Sequence, residues 1–382
     1  YFINRNNIHN DKKYYFLSKL ILNDKSIYAI NRILKDLYKI KDFRELPQIN
    51  IKKHKFINDI EKYKIESYQF KYIYDYYLNK SSLIYAEYFR ELYANSIISK
   101  SSNSFYLFDN NLISHFEIKS PLQTLNLIKK LNLKYTSKKL LLEISAICHL
   151  IDGRKNEANK LWRQNFNQSD FQYLDYIKDK TIAVIGPAHI DDSLGSEIDE
   201  YDIVVRPIFT STESFDQKKY GNRTDVSYYN YGFYINANEI LVESSKSLKW
   251  ANIKPHKIKK TKLHCKSRQF NIVDTIYLLG EGNAIPNIIF DLIRFEPYKI
   301  KLFSSTLYLG SKTFADDFTK TYSSRSANNL VASKNIRSHD PLSQFIFLKK
   351  GFRSQLFIAD FSSVSTLNLT CNEYLIKLMS KY

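Results

Sequence analysis

Two histidines lie in loops where a side chain can take part in chemistry. His189 follows the stretch TIAVIGPA, and His339 stands in NIRSHDPLSQ, directly before a segment with helical periodicity. An imidazole titrates near neutral pH, so either residue can act as a general base. The remaining histidines fall in the first half of the chain or in the lysine-rich stretch WANIKPHKIKKTKLHCK, where structural or solvated roles are expected: His9, His54, His115, His149, His256 and His264.

The segment KTIAVIGPAHI predicts how the first of these loops is held. TIAVIG is typical of a buried strand, and it ends at Gly186, where the chain must turn. Ligands of open α/β sheets bind beyond the carboxyl ends of the strands, so Gly186, Pro187 and Ala188 are predicted to line a nucleotide site. The dinucleotide fingerprint is absent, and the next strand, YDIVVRP, carries Arg206 instead of an acidic residue near its end. Because arginine favours phosphate or carboxylate, an NAD site is not predicted.

The distribution of glycine divides the chain into two parts. Of the nine glycines, only Gly153 precedes Gly186. The sequence therefore predicts a helical domain over residues 1–175, either irregular or built from degenerate helical repeats, and a Rossmann-like domain over residues 176–382. The expected fold class is α/β: a parallel-sheet domain of the Rossmann-like type preceded by an all-α domain, with the boundary near residues 170–178.

Individual elements follow from periodicity. SKLILNDKSIYAINRILKDLYKI and PLQTLNLIKKLNL have apolar residues at helical spacing, and a helical hairpin is predicted to turn at Asp152–Gly153. Short β-rich runs alternate with helical segments after residue 175, which indicates a parallel sheet with crossover helices. The predicted strands are TIAVIG, YDIVVRP, DVSYYNYG, TIYLLG and KIKLFSSTLYLG, and the predicted helices between them are AIPNIIFDLIRF and DPLSQFIFLKKGF.

One stretch carries a specific resemblance. GPAHIDDSLGSEIDEYDIVVRP followed by YGNRTDVSYYNYG resembles the large sialyl motif of family 29 sialyltransferases, in which G-x-E-I-D-x-x-D-x-V-x-R is followed by G-x-[RK]-T. The resemblance implies that this motif holds the cytidine nucleotide, with Arg206 and Thr224 among its contacts. The residues that match in order are Gly195, Glu197, Ile198, Asp199, Asp202, Val204, Arg206, Gly221, Arg223 and Thr224.

A second block supports the same resemblance. GEGNAIPNIIFDLIRFEPYKIKLFSSTLYLG, residues 280–310, is similar to the small sialyl motif. There Gly282, Asn283 and Ala284 are expected to bring backbone amides to the donor. The family binds CMP-sugars and transfers the sugar to an acceptor hydroxyl with inversion and without an essential metal, so no cofactor beyond the CMP-sugar substrate is expected.

Three positions bear on the identity of the donor. The family usually has asparagines where this chain has Pro187 and Ile208. Asn230 matches an asparagine that related bacterial sialyltransferases present at the end of their third strand, and it is expected to take over nucleotide contacts. Sialic acid, Kdo and other acidic nonulosonic sugars all remain open as the group transferred.

The resemblance also favours one histidine as the base. The catalytic histidine of the family lies late in the chain, in a loop before a helix, as His339 does, so His339 is the predicted general base and Asp340 the predicted cap of that helix. The polar loop TYSSRSANNLVASKNIRSHD before it is consistent with a mobile lid, with Tyr322 and Ser324 as donor contacts.

Two alternatives stay open. The first is a retaining CMP-Kdo transferase with a carboxylate nucleophile, for which Asp191, Asp192 and Asp225 are the candidates. The second is a protein that binds CMP or a glycan without turnover. Binding to nucleic acid is not expected, because the basic residues are spread over both halves and no nucleic-acid motif occurs.

Composition sets the wider limits. The chain has 382 residues, is 44% hydrophobic and carries a net charge of +18, which favours acidic substrates or surfaces. A glycan or lipid-linked glycan acceptor and a peripheral contact with an anionic membrane are expected. Three scattered cysteines suit a reducing compartment, and no apolar run is long enough to span a bilayer. We therefore expect a cytoplasmic protein, at most peripheral at the inner membrane face.

Overall fold

The structure is a computed structural model that divides into two compact units, Tyr1–Ser101 and Ser102–Tyr382. It describes residues 70, 71, 74, 83–99, 108–130, 137–211, 216–230, 238–254, 262–310 and 339–381. In the first unit, helix α1 (Leu83–Ser99) buries Phe89, Ala94 and Ile97. The helix predicted within residues 18–40 lies outside the described residues.

The second unit begins with helices, as the sequence predicted. The helical hairpin is confirmed: its two helices meet at Asp152–Gly153, and Gly153 takes a φ of +79°, a left-handed conformation that glycine adopts without a steric penalty. The sixth helix starts with a capping box, in which Asn167 and Asp170 each bond the backbone N–H of the other. The helices are α2 (Phe108–Ile118), α3 (Pro121–Lys130), α4 (Lys138–Ile151), α5 (Lys155–Arg163) and α6 (Gln168–Ile177).

The sheet that follows has seven strands, all parallel. Its strands are β1 (Thr181–Ile185), β2 (Ile203–Pro207), β3 (Val226–Tyr229), β4 (Trp250–Ile253), β5 (Lys266–Gln269), β6 (Lys299–Phe303) and β7 (Ile358–Ala359). The helices from β1 onward are α7 (Gly195–Asp199), α8 (Gln217–Tyr220), α9 (Asn238–Ser244), α10 (Ala284–Leu292), α11 (Pro341–Arg353), α12 (Phe361–Leu367) and α13 (Cys371–Met379).

The strand order is β5-β4-β3-β2-β1-β6-β7. The chain therefore builds outward from β1 in one direction as far as β5 and then crosses over to place β6 on the other side of β1. This reversal puts a topological switch point, where open α/β sheets bind ligands, between β1 and β6. The fold is thus a Rossmann-like α/β fold with helices in its N-terminal part.

Burial on both faces explains why the sequences of the central strands are continuous apolar runs. Every residue of β2 and β3 is buried, and so is all of β1 except Thr181. Helices cover both faces of a parallel sheet, so the side chains that point to either face must be apolar. On one face Ile198 of α7 and Tyr220 of α8 pack on Ala183, while α10 contacts β1 and β2.

One predicted strand is wrong. TIYLLG, residues 275–280, contains no strand; a 3₁₀ helix (Val273–Ile276) and an irregular turn occupy the region. The backbone donors just before it are taken by side chains of α10, since Asn271 N donates to Asp291 Oδ1 and Val273 N donates to Asn287 Oδ1. The segment is buried beside α10 instead of joining the sheet.

A buried ionic network joins the helical region to the sheet. The guanidinium of Arg268 in β5 forms a bidentate pair with the carboxylate of Asp291 in α10, at 2.6 and 3.0 Å. Its Nε donates to Asp170 of α6 at 2.9 Å. Nearby, Asn271 Nδ2 donates to Glu143 of α4. The two compact units divide at residues 101 and 102. The boundary predicted near residue 175 lies between helices and strands that share this network.

Candidate active site at the carboxyl edge of the sheet

The switch point is closed by a tight backbone contact between the ends of β1 and β6. Gly186 N donates to Phe303 O at 2.7 Å, and Ala188 N donates to Ser304 O at 3.2 Å. A Cβ on Gly186 would lie 2.8 Å from the carbonyl carbon of Ser304. Glycine is required here because two backbones meet, and Pro187 and Ala188 follow directly at the edge of the sheet.

The loop after β6 has unusual backbone geometry. Ser304, Leu307 and Tyr308 have φ values of +54°, +46° and +73°, in the left-handed region that residues with a Cβ seldom adopt. Ser304 is fully buried, and its hydroxyl makes no hydrogen bond to any described residue. Buried polar atoms are nearly always paired, so Ser304 Oγ has an unused bonding capacity at the switch point.

His339 lies at the same edge and is held by the loop that precedes α10. Its Nδ1 is 3.1 Å from the carbonyl oxygen of Glu281. Gly280, with φ of +76°, permits this approach, because a Cβ there would lie 2.6 Å from Asp340 N. A neutral imidazole that donates from Nδ1 to a carbonyl carries its lone pair on Nε2, the form required of a general base.

The helix that follows His339 begins as predicted. Asp340 is its N-cap, with Oδ1 accepting from Leu342 N at 3.0 Å and Oδ2 accepting from the Ser343 hydroxyl at 2.7 Å. Proline occupies the first helical position, where its missing N–H costs nothing. The cap fixes the backbone next to the histidine.

The N-terminus of α10 forms another wall of the site. Asn283 is its N-cap but makes no side-chain capping bond; its Nδ2 donates instead to the hydroxyl of Tyr308. Asn287 secures the turn by donating to the carbonyl of Gly282 at 2.9 Å. Ala284 is the first helical residue, so the positive end of the helix dipole lies at this edge, an arrangement that favours anions.

Asn230 and Lys254 complete the edge on the side of β3 and β4. Asn230 follows β3 directly and is exposed. Lys254 follows β4, its N–H donates to Tyr229 O at 2.9 Å, and its Nζ lies 3.7 Å from Glu281 Oε2. The ends of β3 and β4 are thereby connected to the loop that holds His339.

Two predicted nucleotide contacts do not open onto this edge. Arg206 is 3% exposed, and its guanidinium donates to Thr224 Oγ1 at 3.0 Å and to the carbonyl oxygen of Tyr220. Thr224 precedes β3, at the amino edge of the sheet. Other motif residues also bind one another, since Asp199 accepts from Asn222 N at 3.0 Å. These contacts hold β2 to the segment that precedes β3.

The structure thus brings together most of the predicted site residues. Those at the carboxyl edge are Gly186, Pro187, Ala188, Asn230, Gly282, Asn283, Ala284 and His339. Tyr322 and Ser324 lie outside the described residues.

The carboxylates considered as nucleophiles occupy different surroundings. Asp225 precedes β3 at the amino edge, accepts from Val204 N at 2.8 Å and pairs with Arg223. The Asp191 side chain is 94% exposed, 3.3 Å from His189 Nε2. Asp192 is exposed on the same loop. A nucleophile must approach the reacting carbon in a site that excludes water, whereas Asp191 and Asp192 are exposed, and Asp225 is already bonded to Val204 N and Arg223 at the amino edge.

Sequence reasoning missed several residues of the edge. The residues not singled out are Ser304, Tyr308, Lys254, Glu281 and Gln344, because each is a common residue type whose role depends on the strand end or helix that carries it. Gln344 illustrates this point, since its Oε1 accepts from Asn283 N at 3.3 Å across 61 residues of sequence.

A comparison with protein-family models finds no match to this chain, and a comparison with curated protein sequences finds none. Within the described ranges, no helix combines the length and the apolar character needed to cross a lipid bilayer. In the same ranges, no three His, Cys, Asp or Glu side chains are grouped so that they could hold a metal ion.

Proposed function

We propose that this chain is a glycosyltransferase that moves an acidic nonulosonic sugar, of the sialic acid or Kdo type, from a CMP-sugar donor to a hydroxyl group of a glycan acceptor. The observation that carries the proposal is the contact between His339 Nδ1 and Glu281 O, 3.1 Å apart, beside the N-terminus of α10. It fixes a proton on Nδ1, so that the neutral imidazole has its lone pair on Nε2, next to a position suited to an anion.

The donor occupies the switch point in this account. Its phosphate faces the N-terminus of α10, where Asn283 and Ala284 present the positive end of the helix. The nucleotide lies against Gly186, Pro187 and Ala188, and Asn230 contacts it from the end of β3. These positions follow the general preference of open α/β sheets for ligands beyond the strand ends.

The reaction is a displacement at the anomeric carbon. His339 Nε2 takes the proton of the acceptor hydroxyl, whose oxygen forms a bond to that carbon on the face opposite the phosphate. The bond between the carbon and the phosphate oxygen breaks, and CMP departs with the electron pair. Donors at the helix N-terminus stabilise the charge that develops on the leaving group, and the product has inverted configuration.

The acceptor class rests on charge. With 57 basic and 39 acidic residues, the chain is suited to an acidic glycan or a lipid-linked glycan at an anionic membrane surface. We propose such an acceptor and no nucleic-acid partner.

The test is an assay with two donors in parallel. CMP-Neu5Ac and CMP-Kdo are each incubated with the protein and a set of oligosaccharide acceptors, and both CMP release and glycan mass are measured. Consumption of one donor with a matching increase in glycan mass supports the proposal. If neither donor binds and neither is consumed, the proposal is wrong; if CMP binds without turnover, the chain is a binding protein.

A further inference from the structure

Lys254 is a cation at the end of β4 with no assigned role. Its side chain is 24% exposed, and its ammonium lies 3.7 Å from Glu281 Oε2. The carbonyl of the same Glu281 bonds His339 Nδ1. One residue therefore connects the lysine on β4 to the histidine before α11.

An acidic nonulosonic donor brings a carboxylate next to the reacting carbon, and a cation there favours its binding. Such sugars carry their carboxylate on the anomeric carbon itself, so the group that pairs with it must lie close to the base that activates the acceptor. Among the described residues, two basic groups on neighbouring elements have partners of their own: Arg206 of β2 bonds Thr224 and Tyr220, and Lys219 Nζ donates to Ile190 O at 2.9 Å, beside the loop after β1.

We propose that Lys254 binds the carboxylate of the donor sugar and so selects acidic sugars over neutral ones; this inference rests on the proposed function. In this structure the ammonium lies beside Glu281 Oε2. The pair is long and its glutamate side chain is 52% exposed. Partly solvated pairs of this kind contribute little, so a substrate carboxylate can replace Glu281 as the partner of Lys254.

The ion pair with the donor acts on binding more than on the chemical step. It is present both in the ground state and in the transition state, so its loss raises KM and leaves kcat nearly unchanged. A lysine that contacted only the leaving phosphate would behave differently, because charge on that phosphate grows during the reaction.

The experiment compares the affinities of wild type, Lys254→Gln and Glu281→Gln for CMP and for CMP-Neu5Ac and CMP-Kdo by calorimetry. Lys254→Gln is expected to lose about tenfold or more in affinity for the acidic donor while its affinity for CMP is unchanged, the size expected for one charge-assisted bond. Glu281→Gln is expected to bind the donor more tightly, because it removes the competing carboxylate. The matched control is Lys249→Gln, which changes the same residue type just before β4, at the opposite edge.

The outcomes separate the inference from the proposed function. CMP binding by both lysine variants shows that they are folded. If Lys254→Gln weakens the binding of CMP and of the donor equally, or weakens the binding of neither, the inference is wrong while the proposed function stands. If wild-type protein binds neither CMP nor any donor, both are wrong.

Discussion

Gly186 and Ser304 meet backbone to backbone at the switch point. Gly186 is bonded to the end of β6 through Phe303 O, and a Cβ on residue 186 would lie 2.8 Å from the carbonyl carbon of Ser304. The two strand ends are thus so close that their loops form a single wall of the proposed donor site.

Replacing this glycine should damage both the fold and the site. Gly186→Ala forces β1 and β6 apart, and we expect a loss of about 1–3 kcal/mol in the free energy of unfolding, the usual cost of overpacking. Affinity for CMP should fall with it. Gly153→Ala is the matched control, because it meets no atom within 4 Å but places alanine at a φ of +79°. It should cost about 1–2 kcal/mol of stability and leave CMP affinity unchanged. Equal CMP affinity in both variants would contradict a donor site at Gly186.

Ser304→Ala should separate stability from activity. The hydroxyl is buried and makes no hydrogen bond to the described residues, and such an atom costs about 1–3 kcal/mol, so its removal should leave stability unchanged or raise it. If the hydroxyl serves the donor, turnover falls. The matched control is Ser114→Ala in α2. It removes another buried hydroxyl that has no partner among the described residues, and it should affect only stability. Full activity in Ser304→Ala would exclude a role in donor binding.

The Arg268–Asp291 pair makes a prediction about pH. Burial alone would raise the pKa of Asp291, but Arg268 outweighs burial and holds that pKa below its usual value. A carboxylate whose folded pKa is depressed stabilises the fold above its unfolded pKa, about 3.9, and loses that contribution as pH falls through the folded value. Asp291→Asn should therefore cost about 3–5 kcal/mol at pH 7 by leaving Arg268 unpaired.

The difference between wild type and Asp291→Asn should shrink at acid pH. Urea unfolding at pH 7 and at pH 3 measures it. A difference that is the same at both pH values would mean that folding does not lower the pKa of Asp291.

Cys148 reports whether the helices before the sheet unfold with it. The residue is fully buried in α4, and burial raises the pKa of its thiol to about 12, so it should resist alkylation in the native protein. Because Glu143 of α4 bonds Asn271 beside β5, we expect Cys148 to become reactive at the same urea concentration at which the sheet unfolds. Reactivity at a clearly lower concentration would instead favour an independent helical domain ending near residue 175.

The sheet and its ligand-binding edge could be predicted from local patterns. β1 and β2 are apolar runs buried on both faces, and Gly186 marks the sharp turn after β1. Strands β4 and β5 were not predicted, because WANI and KSRQ are short and lie in or beside a lysine-rich stretch, and Arg268 is the one buried residue of β5. β4 pairs with β3 and β5 pairs with β4, so each depends on its neighbouring strand and not on its own composition.

The candidate site was predictable only in part for a similar reason. His339 could be singled out as a loop residue before a helix, whereas the carbonyl that orients it belongs to Glu281, 58 residues earlier. Arg206 was assigned to the nucleotide because arginine favours anions; its guanidinium instead satisfies the carbonyl of Tyr220 and the hydroxyl of Thr224. Motif residues cannot be divided into ligand contacts and packing contacts without coordinates.

The most direct test of the central claim is the rate and stereochemistry of transfer in His339→Ala. CMP release is followed with whichever of CMP-Neu5Ac and CMP-Kdo the wild type uses, and the anomeric configuration of the product is determined by NMR. His264→Ala is the matched control, since His264 is exposed and precedes β5 at the opposite edge. The account predicts inversion by the wild type, a loss of about 10²–10⁴-fold in rate for His339→Ala, and no loss for His264→Ala. Full rate in His339→Ala, or retained configuration in the wild type, would contradict it.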